Sequence, residues 1–135
     1  MYELVLHRDA EADLDQIWET DPDGAADVET LLEELRNSEE LLSALRIHQR
    51  LEGRIHVSRL LRFDIWGKSL WRLRFSELAD PQNIMPYRIL YCSLANVYYV
   101  LAVAHRDLNY EQDRNLVARV RNACRELGIS TSRRR

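Results

Sequence analysis

The chain has 135 residues, 46% of them hydrophobic and 30% charged, which suits one compact domain with a hydrophobic core and is too short for two ordinary domains. No apolar stretch approaches the ~20 residues of a membrane helix, and the N-terminus lacks the basic-then-apolar layout of a signal peptide. We therefore expect a cytoplasmic protein with no membrane partner. Residues 1–53 carry 4 arginines against 15 acidic residues, a net charge of −11, whereas residues 54–135 carry 15 basic against 7 acidic residues, a net charge of +8.

The N-terminal part of the chain reads as one strand followed by helices. Tyr2–Leu6 has the pattern of a strand, and the first helix has Asp9 as its predicted N-cap and Asp21-Pro22 as its stop. Apolar residues at helical spacing then predict a second helix, and Ser38 is placed to cap a third. These two helices form an insert over about 23–53, which is either scaffold or a docking surface for a basic partner.

Three segments in the C-terminal half have the composition of β-strands. In Leu70–Phe75 apolar residues alternate with arginines, so the two kinds of side chain point to opposite faces. Tyr87–Ser93 and Val97–His105 are rich in Tyr, Val, Ile and Leu, and their short separation predicts a β-hairpin. The stretch 57–63 is a further strand or an extended connector.

A last helix is predicted after this hairpin. Asn109 is placed to cap it, with Gln112 reaching back as in a capping box, and Gly128 is its stop. Residues 129–135 are expected to form a flexible tail. The predicted fold class is therefore α+β: a small single domain with an N-terminal strand, two to three helices, an antiparallel sheet of three to four strands and a C-terminal helix.

Arginines interrupt the apolar pattern of the predicted strands. Arg72 and Arg74 lie in the first of them, Arg88 lies inside the next, and Arg106 follows the last. A guanidinium stays charged and is costly to bury without a partner, and its paired donors match the geometry of a phosphate. Four arginines on neighbouring strands therefore predict an anion-binding face.

The order of LWRLRF, YRILY and YYVLAVAHRD resembles the C-terminal sheet of the RelE/ParE family of toxins from type II toxin–antitoxin systems. The resemblance implies a single toxin domain over 1–135 that a cognate antitoxin protein silences. We interpret the chain as a member of the RelE branch, which implies an endoribonuclease that cleaves mRNA on the ribosome and needs no metal or cofactor. The alternative is a ParE-like toxin that blocks DNA gyrase without cleaving a bond, or an inactive binding module of the same fold.

Matching positions imply roles for the arginines and for two neighbours. Arg72 and Arg74 fall where the RNase members place RNA-binding residues, and Arg88 and Arg106 match catalytic arginines. His105 is a candidate for proton transfer, because an imidazole exchanges protons near neutral pH. Tyr110 stands in for a tyrosine that some members carry near the start of the final helix, although in close alignment Gln112 takes that position.

Structural roles are open for the same residues. Arg72 and Arg74 can simply solvate the outer face of the sheet, Arg88 can pair with a carboxylate, and His105 can merely end its strand. The acidic N-terminal half is itself a departure from RelE-type toxins, which are usually basic. The two cysteines lack metal-type spacing and are expected to be free buried thiols, and no metal site is predicted.

Overall fold

The computed structural model describes residues 1–46, 49–51, 55–60, 70–77, 80, 82–107 and 113–128. Tyr110, the predicted cap residues Asn109 and Gln112, and the predicted tail lie outside these ranges. The helices and strands are, in chain order, β1 (Glu3–Leu6), α1 (Arg8–Thr20), α2 (Pro22–Arg36), α3 (Glu39–Ser43) followed by a 3₁₀ turn (Ala44–Arg46), β2 (Gln49–Leu51), β3 (Ile55–Leu60), β4 (Leu70–Phe75), β5 (Tyr87–Leu94), β6 (Val97–His105) and α4 (Arg114–Glu126).

The strands form a single sheet in the order β1-β6-β5-β4-β3-β2. The α+β fold class is confirmed, but the sheet is larger and more mixed than predicted, because β1 runs parallel to β6 while every other pair is antiparallel. Parallel neighbours need a long connection, and here it comprises α1, α2, α3 and the strands β2 to β5. The predicted hairpin is confirmed, with Ala95 and Asn96 as its turn.

Helices cover both faces of the sheet, so the alternation along β4 divides its side chains between two cores. Trp71, Leu73 and Phe75 face the larger core with α1, α2 and α3, whereas Leu70 packs in a smaller core beneath α4. Both cysteines are buried and free in this smaller core, as predicted.

Of the three predicted helix caps, Ser38 is correct and Asp9 and Asn109 are wrong, and the first helix stops at Asp21 as predicted. Asp21 ends α1 and caps α2 through Gly24 N–H (3.1 Å), and Ser38 caps α3. Asp9 does not cap α1; the ring of His7 accepts the Asp9 N–H instead (3.1 Å). The last helix begins at Arg114 with Asp113 as its cap, not Asn109. In each case a side chain two or three residues before a free amide accepts from it, and more than one polar residue lay close enough to do so.

The third predicted helix is much shorter in the structure. It ends at Ser43 instead of running to about Gly53, and Gln49–Leu51 forms β2. This strand pairs with the first half of β3, Ile55–Val57. The hydrogen bonds between the two strands satisfy backbone groups that a longer helix would otherwise have paired, so tertiary pairing overrides the local helical pattern.

Candidate functional site

A polar row crosses three neighbouring strands on the face of the sheet that α4 partly covers. We call it the basic face: His56 and Ser58 of β3, Arg72 and Arg74 of β4, and Arg88 of β5. Strand register places Ser58 beside Arg72 and His56 beside Arg74. Arg72 Nε donates to Ser58 Oγ (3.1 Å), and Arg74 Nη2 lies 3.0 Å from His56 Nδ1. Sequence reasoning assigned no chemistry to His56, although the alternation of IHVSRL already puts it on the same side as Ser58.

Arg74 is the cation of this face with the least compensation. Its side chain is half-buried, and its Nε is buried without a hydrogen-bond partner among the residues that the structure describes. Within the same residues its one partner is the ring of His56, which carries no negative charge. A guanidinium in that setting keeps its full positive charge and still has unused donors, which are the two properties that phosphate binding requires.

Arg88 is placed differently from the other arginines. It is 9% exposed, and its Nη1 donates to the backbone oxygens of Met85 (2.8 Å) and Tyr87 (3.1 Å). These bonds hold together the chain segment that enters β5. The acceptors in these two bonds are backbone carbonyls, so Arg88 organises the backbone beside the basic face.

The sheet does not place His105 on the basic face. His105 ends β6 opposite Tyr87, and the two rings meet edge to face with centroids 5.9 Å apart. Because Tyr87 belongs to the larger core, His105 lies on the side of the sheet away from Arg88. Its Nδ1 accepts the Asp107 N–H (3.1 Å), so the neutral ring carries its proton on Nε2.

Arg106 follows His105 in an exposed turn at the same end of the sheet as Arg88. Its N–H donates to the Pro86 oxygen (2.7 Å), which ties the turn to the start of β5. The structure therefore brings three predicted arginines together on one face and leaves Arg106 exposed at the end of that face. Tyr110 lies outside the described residues.

Tyr87 links this end of the sheet to the helical layer. Its hydroxyl donates to Asp21 Oδ2 (2.7 Å) at the N-terminus of α2. Burial, followed by the hydrogen bond and the charge of Asp21, raises the pKa of Tyr87 to about 12. The phenol is therefore protonated at neutral pH, and its ring forms a fixed wall against which His105 packs.

The family model of the ParE toxin of the type II toxin–antitoxin system parDE matches residues 4–110. This range contains β2 to β6, all but the first residue of β1, and every residue of the basic face. The chain belongs to the ParE toxin family. No curated protein and no solved structure matches it. As a toxin of a type II system, it has a cognate antitoxin as its partner.

Two side-chain clusters fasten α4 of the toxin to α1. Arg119 pairs with Asp13 (2.8 Å), and His7 Nε2 lies 2.7 Å from Glu126 Oε1, which also contacts Arg8. The hydrogen bond with His7 is the main cause that lowers the pKa of Glu126. The sequence carried no signal for these contacts, because more than 100 positions separate the partners.

The acidic half of the toxin forms a groove on the other side of the fold. β1, α1 and α2 line it, with Leu4 and Leu14 among its apolar residues, Glu29 and Glu33 among its acidic ones, and Trp18 partly exposed. No three His, Cys, Asp or Glu side chains in the described ranges gather in a way that would hold a metal ion. None of the helices found there is long and apolar enough to cross a membrane.

Proposed function

We propose that this toxin is an endoribonuclease that cleaves mRNA on cytoplasmic ribosomes, with the basic face as its phosphate-binding surface. The observation that carries the proposal is the state of Arg74: a half-buried guanidinium whose partner among the described residues is an imidazole and whose Nε has none there. Structural arginines are normally satisfied by carboxylates or carbonyls, as Arg88 is by two carbonyls. Arg74 has the donors and the charge to hold a phosphate.

The proposed reaction is attack of a ribose 2′-hydroxyl on the adjacent phosphate, with departure of the 5′-oxygen of the next nucleotide. The phosphorane that forms carries extra negative charge, and fixed cations aimed at it lower the barrier. Arg72 and Arg74 would hold the RNA backbone, and the exposed Arg106 would approach the scissile phosphate from the end of the sheet. Arg88 would act as a positioning residue, because its guanidinium is engaged with backbone oxygens.

Proton transfer is assigned to His105 in this proposal. With Nδ1 engaged by the Asp107 amide, the ring presents Nε2, and Asp107 Oδ2 lies 3.5 Å from Nδ1. The ring is half-exposed, as a group that must reach a substrate has to be. Tyr110 stays a predicted catalytic residue.

A second candidate function is inhibition of DNA gyrase by binding alone. The specific observation in its favour is the orientation of His105, which packs on Tyr87 on the opposite side of the sheet from the arginines. A toxin that only binds does not need a proton-transfer group beside its cations, and a buried Arg88 then serves only to stabilise the fold.

Mapping of mRNA 3′ ends on stalled, programmed ribosomes distinguishes the two functions. Wild type, Arg74→Ala and Arg106→Ala would be compared with Arg36→Ala, a matched control that removes the same charge from the acidic groove. The proposal expects cuts in the A-site codon that require the ribosome, are lost in the first two variants and persist in the control. Intact mRNA together with loss of gyrase supercoiling activity would establish the second candidate, and no effect in either assay would reject both.

A further inference from the structure

The three sides of α4 have different surroundings. With about 100° of rotation per residue, Leu116, Val120, Ala123 and Cys124 form the side that packs on the sheet. Arg119 and Glu126 lie together on a second side, where they contact α1. The third side is exposed and points away from both.

This third side, which we call the arginine stripe, consists of Arg114, Arg121 and Arg125. All three are exposed, and at seven- and four-residue spacings they fall within about 40° of one another around the helix axis. They span about 16 Å along it. The neighbouring exposed positions on α4 are Asn115, Ala118 and Asn122, none of which is acidic. The one acidic residue of α4, Glu126, is turned toward His7.

We propose that the arginine stripe is a docking surface for the sugar–phosphate backbone of double-helical RNA, and that the toxin uses it to grip ribosomal RNA. The proposal rests on the ribosome as the site of action. Arginine and asparagine are donors that contact phosphate and sugar oxygens, and the small Ala118 lets a backbone come close. The stripe has no aromatic or large apolar residue, which the centre of a protein–protein interface normally contains, so an RNA backbone fits it better than an acidic protein.

The rest of the fold gives such docking a direction. The acidic groove of β1, α1 and α2 repels a polyanion, whereas α4 covers part of the sheet face that carries Arg72 and Arg74. The contacts Arg119–Asp13 and Glu126–His7 hold α4 in place relative to α1. Electrostatic attraction acts over about 10 Å at ordinary salt, so the arginine stripe holds only RNA that lies close to it. A rigid second contact of this kind would fix the orientation of the basic face over its substrate.

Salt-dependent binding of the full-length toxin to a short RNA duplex, followed by fluorescence anisotropy, tests the proposal. Each phosphate contact adds about 0.7–0.9 to the slope of log K against log salt. The triple variant Arg114→Ala, Arg121→Ala, Arg125→Ala should therefore lose about two in slope and bind at least 10-fold more weakly. The matching triple lysine variant should retain most of the binding, and Arg36→Ala should leave the slope unchanged.

Ribosome cleavage kinetics separate this proposal from the proposed function. The triple alanine variant should raise KM for programmed ribosomes and leave kcat near its wild-type value. An unchanged slope and KM would overturn the stripe proposal even if the wild type cleaves mRNA. The proposal would also be overturned if the variant lost affinity only for the antitoxin. If the wild type fails to cleave but the slope falls as expected, the nuclease proposal fails and RNA binding by the stripe stands.

Discussion

Replacement of Arg88 by alanine should destabilise the toxin, and this change separates a positioning arginine from a catalytic one. The guanidinium donates two hydrogen bonds to backbone oxygens within a buried site. Hydrogen bonds from a charged donor contribute about 1.5–3 kcal/mol each. Their loss should lower the free energy of unfolding by about 3 kcal/mol, and the thermal midpoint should fall by roughly 10 °C.

Urea and thermal unfolding of the purified toxin measure this change. The matched control is Arg106→Ala, which removes the same side chain from an exposed turn and should change the free energy of unfolding by less than about 0.5 kcal/mol. After correction for the folded fraction, Arg88→Ala should retain activity, whereas Arg106→Ala should lose it without unfolding. A stable but inactive Arg88→Ala would refute this reasoning, because the guanidinium would then act on the phosphate directly.

Two further predictions concern the contact between Tyr87 and Asp21. Alanine in place of glycine normally stabilises a helix by about 0.5–1 kcal/mol. A Cβ on Gly24, however, would lie 2.3 Å from Asp21 Oδ2 and 2.8 Å from Tyr87 Cε2. Gly24→Ala should therefore lower the free energy of unfolding by about 1–3 kcal/mol, and an unchanged or higher urea midpoint would contradict this. Because the pKa of Tyr87 is raised to about 12 from 10, its stabilising contribution is complete below pH 10 and is lost as the pH rises toward 12. Tyr87→Phe should thus be less stable than wild type at neutral pH, and the difference should shrink between pH 10 and 12 in urea unfolding; a constant difference would exclude ionisation of Tyr87 as its cause.

Local patterns in the sequence were sufficient for most of the individual elements. The bounds predicted for β4 and β6 are those of the structure, and the stop of α1 at Asp21 and the cap Ser38 are correct. Each of these features depends on residues within a few positions of one another: the two-residue period of a strand, or a polar side chain just before a free amide. The same locality explains the errors at Asp9 and Asn109, where several nearby polar residues were equally suitable.

The composition of the candidate site was predictable only in part. Arg72 and Arg74 share a face because alternation along a strand is a local property, whereas the place of Arg88 beside them depends on the pairing of β4 with β5. The sequence could not reveal that His56 rather than His105 lies beside them, since cross-strand neighbours follow from the register between β3 and β4. Nor could it reveal that Arg88 is engaged with two backbone oxygens just before it, because the path of the chain entering β5 is set by packing.

The amino-acid sequence by itself determined the α+β class, the positions of β1, β4, β5 and β6 and the separation of acidic from basic halves, because these depend on short-range periodicity and on composition. The tertiary structure alone decided that Gln49–Leu51 becomes a strand, that Glu126 meets His7 across the fold, and that α4 exposes a row of arginines. Those outcomes depend on which distant segments pack together, and the free energy of that packing outweighs local conformational preference.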